Sequence, residues 1–331
     1  DAMTPRRRWT EAIVAAGAVR AAYVPDASTG RSEALEPTGA ELVEGAALEL
    51  HPVPLAPAPG PAIAFLDGIQ QWAVVGYDGV TPIVRAHVAA AVRRRGPDRR
   101  PRTADEAARE LAITRLAALS APVRRALEGA DVEIVDLAAD ETGQPGRALR
   151  AAHLRVDRAR EQVEREVGER CAGRLGPEEW LVVDGLLSES RVLAEHPRAL
   201  GVIKSHGAQY FEGEALERAL TLPADHRTSA FRPLGHQHRP VYSWYLRLWP
   251  WDGNDLLYGL VRIEARAHPA SVAQATALSG WLLRERAPVS TPDARWDRLL
   301  YPIHDVETYL RSRAPRDLLP ATGSRLPKTG S

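Results

Sequence analysis

The sequence predicts a mixed α/β fold, and three observations carry that prediction. Two apolar runs, Ala62 to Leu66 and Trp180 to Val183, each end in Asp-Gly, at Asp67-Gly68 and Asp184-Gly185. β-rich runs cluster after the first of them, at Trp72 to Gly76 and Thr81 to Val92, separated by the turn Tyr77-Asp78-Gly79. A long helical pattern, from about Arg147 to Leu175, then leads directly into the second apolar run. Several strands followed by a helix that feeds another strand indicate a mixed sheet covered by helices.

In chain order, a helix is expected from about Trp9 to Ala22. The proline-rich stretch His51 to Pro61 serves as a stiff connector, because proline cannot donate into a ladder. Thr103-Ala104-Asp105-Glu106 reads as a capping box opening a helix to about Leu119, and Ala121 to Gly129 as a shorter helix. Val132 to Leu137 reads as a strand, as do Leu200 to Lys204, Tyr242 to Leu248 and Leu256 to Ala265. A helix near Ser271 to Glu285 and the segment Leu299 to Arg313 follow.

Composition narrows the function classes. The 331 residues suffice for one large domain or two modest ones. Lys plus Arg equals Asp plus Glu at 43 each, so no global basic field points to nucleic acid. The cations are nearly all Arg; the lysines are Lys204 and Lys328. One cysteine, Cys171, excludes an intrachain disulfide framework and a Cys-rich zinc site, which suits a reducing, cytoplasmic compartment. No signal-type segment or 18-residue apolar stretch is present, so no membrane crossing is expected. Leu326 to Gly330 spells a sortase sorting motif without a following apolar segment and reads as coincidence or an appended tag, while Asp1-Ala2 ahead of Met3 looks like a cloning remnant.

The two aspartates are the leading candidates for chemistry. Divalent Mg or Mn takes oxygen ligands, and carboxylates converging from separate elements can hold ions that activate water against a phosphodiester. Asp-Gly after an apolar run is also an ordinary turn, so Asp67 and Asp184 qualify only if their strands are neighbours. A third carboxylate is sought on the preceding helix among Glu161, Glu164, Glu166 and Glu169. At about 100° per residue, Val156, Ala159, Val163, Val167 and Cys171 form one apolar stripe, and Glu164 lies nearest to it, with Glu161 and Glu166 as alternatives. Arg160 and Glu164 also fit a solvated i,i+4 pair.

Other features carry weaker signals. A lone strand lysine in an arginine-dominated chain, Lys204, suits a point charge on phosphate or a plain strand-end cation. His206 shares its face if the strand persists. His236-Gln237-His238-Arg239 lacks zinc-ligand spacing and reads as a polar loop near phosphates or at a subunit contact. Arg93, Arg94, Arg95, Arg99, Arg100 and Arg102 form a local cluster that suits a DNA backbone or an exposed loop. Trp72, Trp244, Trp249 and Trp251 suit base stacking or a core.

Taken in order, Leu66-Asp67-Gly68, the Glu-bearing helix before Val183-Asp184-Gly185-Leu186-Leu187, Gly201-Val202-Ile203-Lys204-Ser205, Arg262-Ile263-Glu264 and Tyr301-Pro302 resemble the NurA nucleases over roughly residues 60 to 312. The resemblance implies a ribonuclease H-like core, Mn- or Mg-dependent cleavage of DNA, a homodimer, and partnership with a HerA-type hexameric translocase in end resection or phage defence. It implies an N-terminal extension over 1–60, a nuclease domain over 61–315 with an inserted helical segment at 97–145, and a tail over 316–331. Carried over, Asp67, Glu164 and Asp184 are metal ligands, Lys204 stands near the scissile phosphate, and Arg262 and Glu264 support the site. The family tends to place a histidine eight residues after the Tyr of Tyr-Pro; here that position is Tyr309, and His304 lies three residues after Tyr301. That departure motivates a second expectation, a ribonuclease H-like adaptor without catalysis that caps the translocase. A paired-carboxylate glycosidase is a third.

Overall fold

Strand β1 (Ile63–Asp78) organises the molecule. Ile63, Phe65 and Ile69 point to one side and Ala64, Leu66 and Val74 to the other, and both sets are buried. A strand apolar on both faces belongs inside a sheet covered on both sides. The computed structural model describes residues 5–20, 36–139, 144–206, 208–234, 239–252, 254–287, 296–315 and 318.

β1 turns back into β2 (Thr81–Arg95), and β2 pairs antiparallel with β3 (Pro101–Thr114). A short helix, α2 (Ala121–Glu128), leads to β4 (Glu133–Asp136), which adds in parallel to the end of β3. The crossover helix α3 (Pro145–Ala172) then returns the chain to β5 (Trp180–Asp184), parallel to β1 on its other side. After α4 (Arg191–Glu195), β6 (Ala199–Ile203) pairs parallel with β5. Helix α5 (Gly213–Leu220) precedes β7 (Val241–Arg247) and β8 (Leu260–Arg266), and β8 closes antiparallel on β6. The resulting order is β4-β3-β2-β1-β5-β6-β8-β7, within a sheet of thirteen strands. An antiparallel meander, a crossover helix and two strands parallel to the first make a mixed α/β fold of ribonuclease H-like type.

Two apolar layers sandwich the sheet. Val156, Val163 and Val167 of α3 pack on Leu66, Val88 and Val183. On the opposite face, α6 (Pro269–Glu285) and α7 (Tyr301–Arg313) bring Leu278, Trp281, Ile303 and Val306 onto Phe65, Val182 and Ile263. A smaller cluster joins Trp9 and Ile13 of α1 (Pro5–Ala15) to Val123 and Leu127 of α2.

Three expectations are corrected. The first helix ends at Ala15 rather than Ala22, because Val19 and Arg20 pair with Tyr77 and Gly76 and extend the sheet. Residues 103–114 are strand, not helix, so the 97–145 segment contributes a sheet strand together with α2 and β4. Alanine and glutamate favour helix there, but β3 makes twelve registered pairs with β2 and alternates Ala107, Leu111 and Ile113 toward α3; tertiary pairing overrides propensity. The supposed capping residues are used elsewhere: Asp105 binds Arg170 and Glu106 accepts from Tyr309. Thirdly, Asp67 is not at a strand end, since β1 continues eleven residues past it to Asp78.

Candidate active site

The register brings the two Asp-Gly pairs side by side. Leu66 is paired with Val183 in parallel, so Asp67 and Asp184, one residue further along each strand, are neighbours. Their glycines do different work. Gly185 has φ +144° and ends β5, with its N–H donating to Val202 O at 3.1 Å. Gly68 stays in the strand and gives room: a Cβ there would lie 2.1 Å from Glu164 Oε1 and 2.6 Å from its Cγ. Glu164 therefore reaches β1 because residue 68 has no side chain.

The four helix glutamates separate clearly, Glu169 accepting from Ser190 Oγ at 2.6 Å. Glu164 points inward and is held by Arg160 through a short ion pair. Arg160 Nε also donates to Gln70 Oε1 at 3.1 Å, and Gln70 Nε2 to Asp157 Oδ1 at 2.8 Å, so the guanidinium is held from two sides. Glu166 turns to Arg109 on β3 at 2.6 Å, and Glu161 stands 3.8 Å from Arg160 Nη2 at the rim. Lys204, just beyond β6, donates from Nζ to Asp184 Oδ2 at 2.8 Å.

The electrostatics follow from this crowding. Asp67 is 7 % exposed. Burial, then the negative charge of Asp184, holds its carboxyl well above the usual carboxylate range; Lys204 offsets part of this, and Glu164 and Glu307 add to it. The Glu164 carboxyl is pushed up to about 7, because burial outweighs the pull of Arg160 and Asp184 adds repulsion. Asp67, repelled by Asp184, Glu164 and Glu307, and Glu164, repelled by Asp184, offer hard oxygen donors that fit a divalent ion such as Mg or Mn, which relieves the repulsion. Asp67, Glu164 and Asp184 are the groups that would hold it, and Glu307, paired with Arg311, adds its charge to Asp67's surroundings. Among the described residues no three His, Cys, Asp or Glu side chains already form a metal cage. Arg160 and Lys204 serve as internal counter-ions for Glu164 and Asp184.

Glu307 is the residue that sequence reasoning missed. It sits on α7 at 8 % exposure, on the face of β1 that carries Asp67, and pairs with Arg311 at 2.7 Å. Its signal was available: Ile303, Val306, Glu307 and Leu310 follow the i, i+3, i+4, i+7 spacing of one buried helical face. Tyr309, where the family resemblance places a histidine, instead binds Glu106 and lies under Arg93. His304 is on α7 one turn before Glu307, and Tyr301 at the helix start is exposed.

The other sequence candidates fall around this centre. Arg262 and Glu264 form a buried pair at 2.7 Å; Glu264, 1 % exposed, also accepts from Leu187 N at 2.9 Å and Ser188 N at 3.2 Å. They anchor the loop that follows Asp184. The arginine cluster is divided. Arg93 is paired with Asp305, Arg94 with Glu179 and Arg95 with Glu285, whereas Arg99 and Arg100 are exposed at the β2–β3 turn. His206 is half-buried, its ring nitrogen 3.1 Å from Leu260 O, and desolvation takes it down to about 4. Trp244 is core, donating to Ser279, and Trp249 lies under Arg286. Trp72 is half-buried beside the His153 ring, and Trp251 is half-buried too. His236, Gln237 and His238 lie outside the described residues.

An open cleft of about 370 Å³ adjoins the carboxylates. Glu164, Asp184 and Lys204 line it, with Arg160, Glu161, Arg165 and Glu189. The cleft thus presents four carboxylates and three cations to a ligand, a mixture suited to an anion that is attacked beside a bound cation. No helix among the described residues is long and apolar enough to cross a membrane. No known family model matches this chain, and no curated protein matches it either.

Proposed function

We propose that the chain is a Mn- or Mg-dependent deoxyribonuclease of the NurA kind, acting as a homodimer with a HerA-type hexameric translocase. The observation that carries this reading is the convergence of Asp67, Asp184 and Glu164 from two adjacent parallel strands and their crossover helix, beside Lys204. When bound, Mn or Mg ions would supply an activated water and charge for the leaving oxygen. Lys204 would turn from Asp184 toward the phosphate oxygens and offset their developing charge. Arg160, braced by Gln70, orients Glu164, and Glu264 keeps the loop after Asp184 in place. The net charge of zero argues for a partner that delivers DNA, since the chain has no global field to find it.

The test is cleavage of end-labelled DNA in Mn and in EDTA, with and without the translocase. Asp67→Asn and Asp184→Asn should each abolish Mn-dependent cutting; variants as fast as the parent overturn the reading. A second reading, the catalytically inactive adaptor that caps the translocase, is favoured by one observation: Arg160 and Lys204 already neutralise two carboxylates without a metal. Mn binding by calorimetry without turnover would select it, and metal-dependent turnover would exclude it.

A further inference from the structure

The crossover helix α3 carries a row of arginines that leads to the cleft, and its charges are sorted in an unusual way. Every acid on the helix is engaged: Asp157 with Gln70, Glu161 and Glu164 with Arg160, Glu166 with Arg109, and Glu169 with Ser190. Arg160 and Arg170 are engaged in turn, by Glu164 and Asp105. Arg150, Arg158 and Arg165 are exposed, and none has an acidic partner among the described residues. At 100° per residue these three fall within an arc of about 80°, and they span a rise of about 22 Å. Leu154, 47 % exposed, lies in the same stripe, as does Glu161, which is drawn toward Arg160. Arg165 at the end of the row is a wall of the cleft that contains Glu164, Asp184 and Lys204.

We infer that Arg150, Arg158 and Arg165 form a phosphate track on which one DNA strand lies along α3 and enters the cleft. The inference rests on the nuclease reading and adds the path of the substrate to it. Unpaired guanidiniums at every second turn of one helix face match a repeating anion, whereas arginines retained only for solubility would be scattered and paired with the neighbouring acids. Such contacts read no base sequence, so the track binds DNA of any sequence and its affinity is salt-dependent.

The experiment is fluorescence anisotropy of a labelled oligo-dT strand with the full chain in EDTA, where no metal-dependent cutting occurs, over a range of salt. Each phosphate contact contributes about 0.7 to the slope of log K against log salt for a single strand. Replacing all three arginines by glutamine should therefore lower the slope by about 2 and weaken binding at least tenfold at moderate salt. Arg→Lys at the same positions should retain most of the slope, and Arg125→Gln on α2 should leave it unchanged. Melting curves establish that each variant is folded, and the single Arg158→Gln change serves if the triple variant is not. An unchanged slope in the triple variant, or a parent that does not bind the strand, overturns the track. Assaying the same proteins with Mn separates the two ideas. A triple variant that cuts with the parent's KM removes the track and leaves the nuclease; a slope that falls in the triple variant of a parent that never cuts removes the nuclease and leaves the track.

Discussion

Gly68→Ala tests the geometry of the site through one methyl group. The added Cβ would lie 2.1 Å from Glu164 Oε1, 2.6 Å from Cγ and 2.7 Å from Cδ, where ordinary contact begins near 3.4 Å. Glu164 must withdraw by more than 1 Å, and its ion pair with Arg160 must re-form elsewhere. Overpacking costs about 1–3 kcal/mol, and the low end applies because the obstacle is a side chain that can turn. Alanine in a strand recovers about 0.5–1 kcal/mol of backbone entropy relative to glycine. The net expectation is a loss of about 1 kcal/mol or less. In a Glu164→Ala background all three obstructing atoms are gone, so Gly68→Ala should be neutral or stabilising. Urea denaturation of the four proteins of this cycle measures the coupling directly. For chemistry, a displacement near 1 Å is worth about a hundredfold, so Gly68→Ala should be folded and cut DNA about a hundredfold more slowly. Equal stability effects in both backgrounds, together with parental cleavage, would refute the claim that Gly68 exists to admit Glu164.

Three more predictions follow from the same contacts. Glu164, whose carboxyl is raised from 4.5 to about 7, binds its proton more tightly folded than unfolded, so metal-free stability should fall as pH rises from about 4.5 to 7. The contribution is about 3 kcal/mol, Glu164→Gln should remove it, and denaturation in EDTA at pH 5 and 7.5 reads it. Lys204→Gln should slow cleavage by about 10²–10³ while leaving Mn affinity equal or tighter, because Asp184 loses a competitor; weaker Mn binding on calorimetry would contradict this. Glu264→Ala leaves Arg262 buried without its carboxylate and two loop amides without an acceptor, so thermal melting should report a loss of about 3–5 kcal/mol, whereas a surface-like change below 1 would refute the anchoring role.

Local pattern made much of the fold legible. The apolar runs at 62–66 and 180–183 were readable as buried strands because both faces are covered, and α3 was readable from its valine stripe. That stripe also placed Glu164 on the inward side ahead of Glu161 and Glu166, where the structure puts it. Residues 103–114 were not readable, since their composition favours helix and only pairing with β2 makes them strand. The same limit hid the role of Gly68, whose Asp-Gly context suggests a turn while its true constraint comes from a helix about a hundred residues later. Glu307 was obscured because, with Arg311 four residues on, it has the spacing of an ordinary solvated helix pair. The ion pairs of Arg93, Arg94 and Arg95 join residues distant in sequence, and no local pattern announces them.

The central claim is that Asp67 and Asp184, with Glu164, hold the ion that makes this a nuclease. Anomalous diffraction from Mn-soaked crystals tests it most directly. The account predicts a Mn peak between Asp67 and Asp184, with Lys204 turned away from Asp184 Oδ2. Crystals that show no peak there at saturating Mn, with the Lys204–Asp184 pair intact, would contradict it.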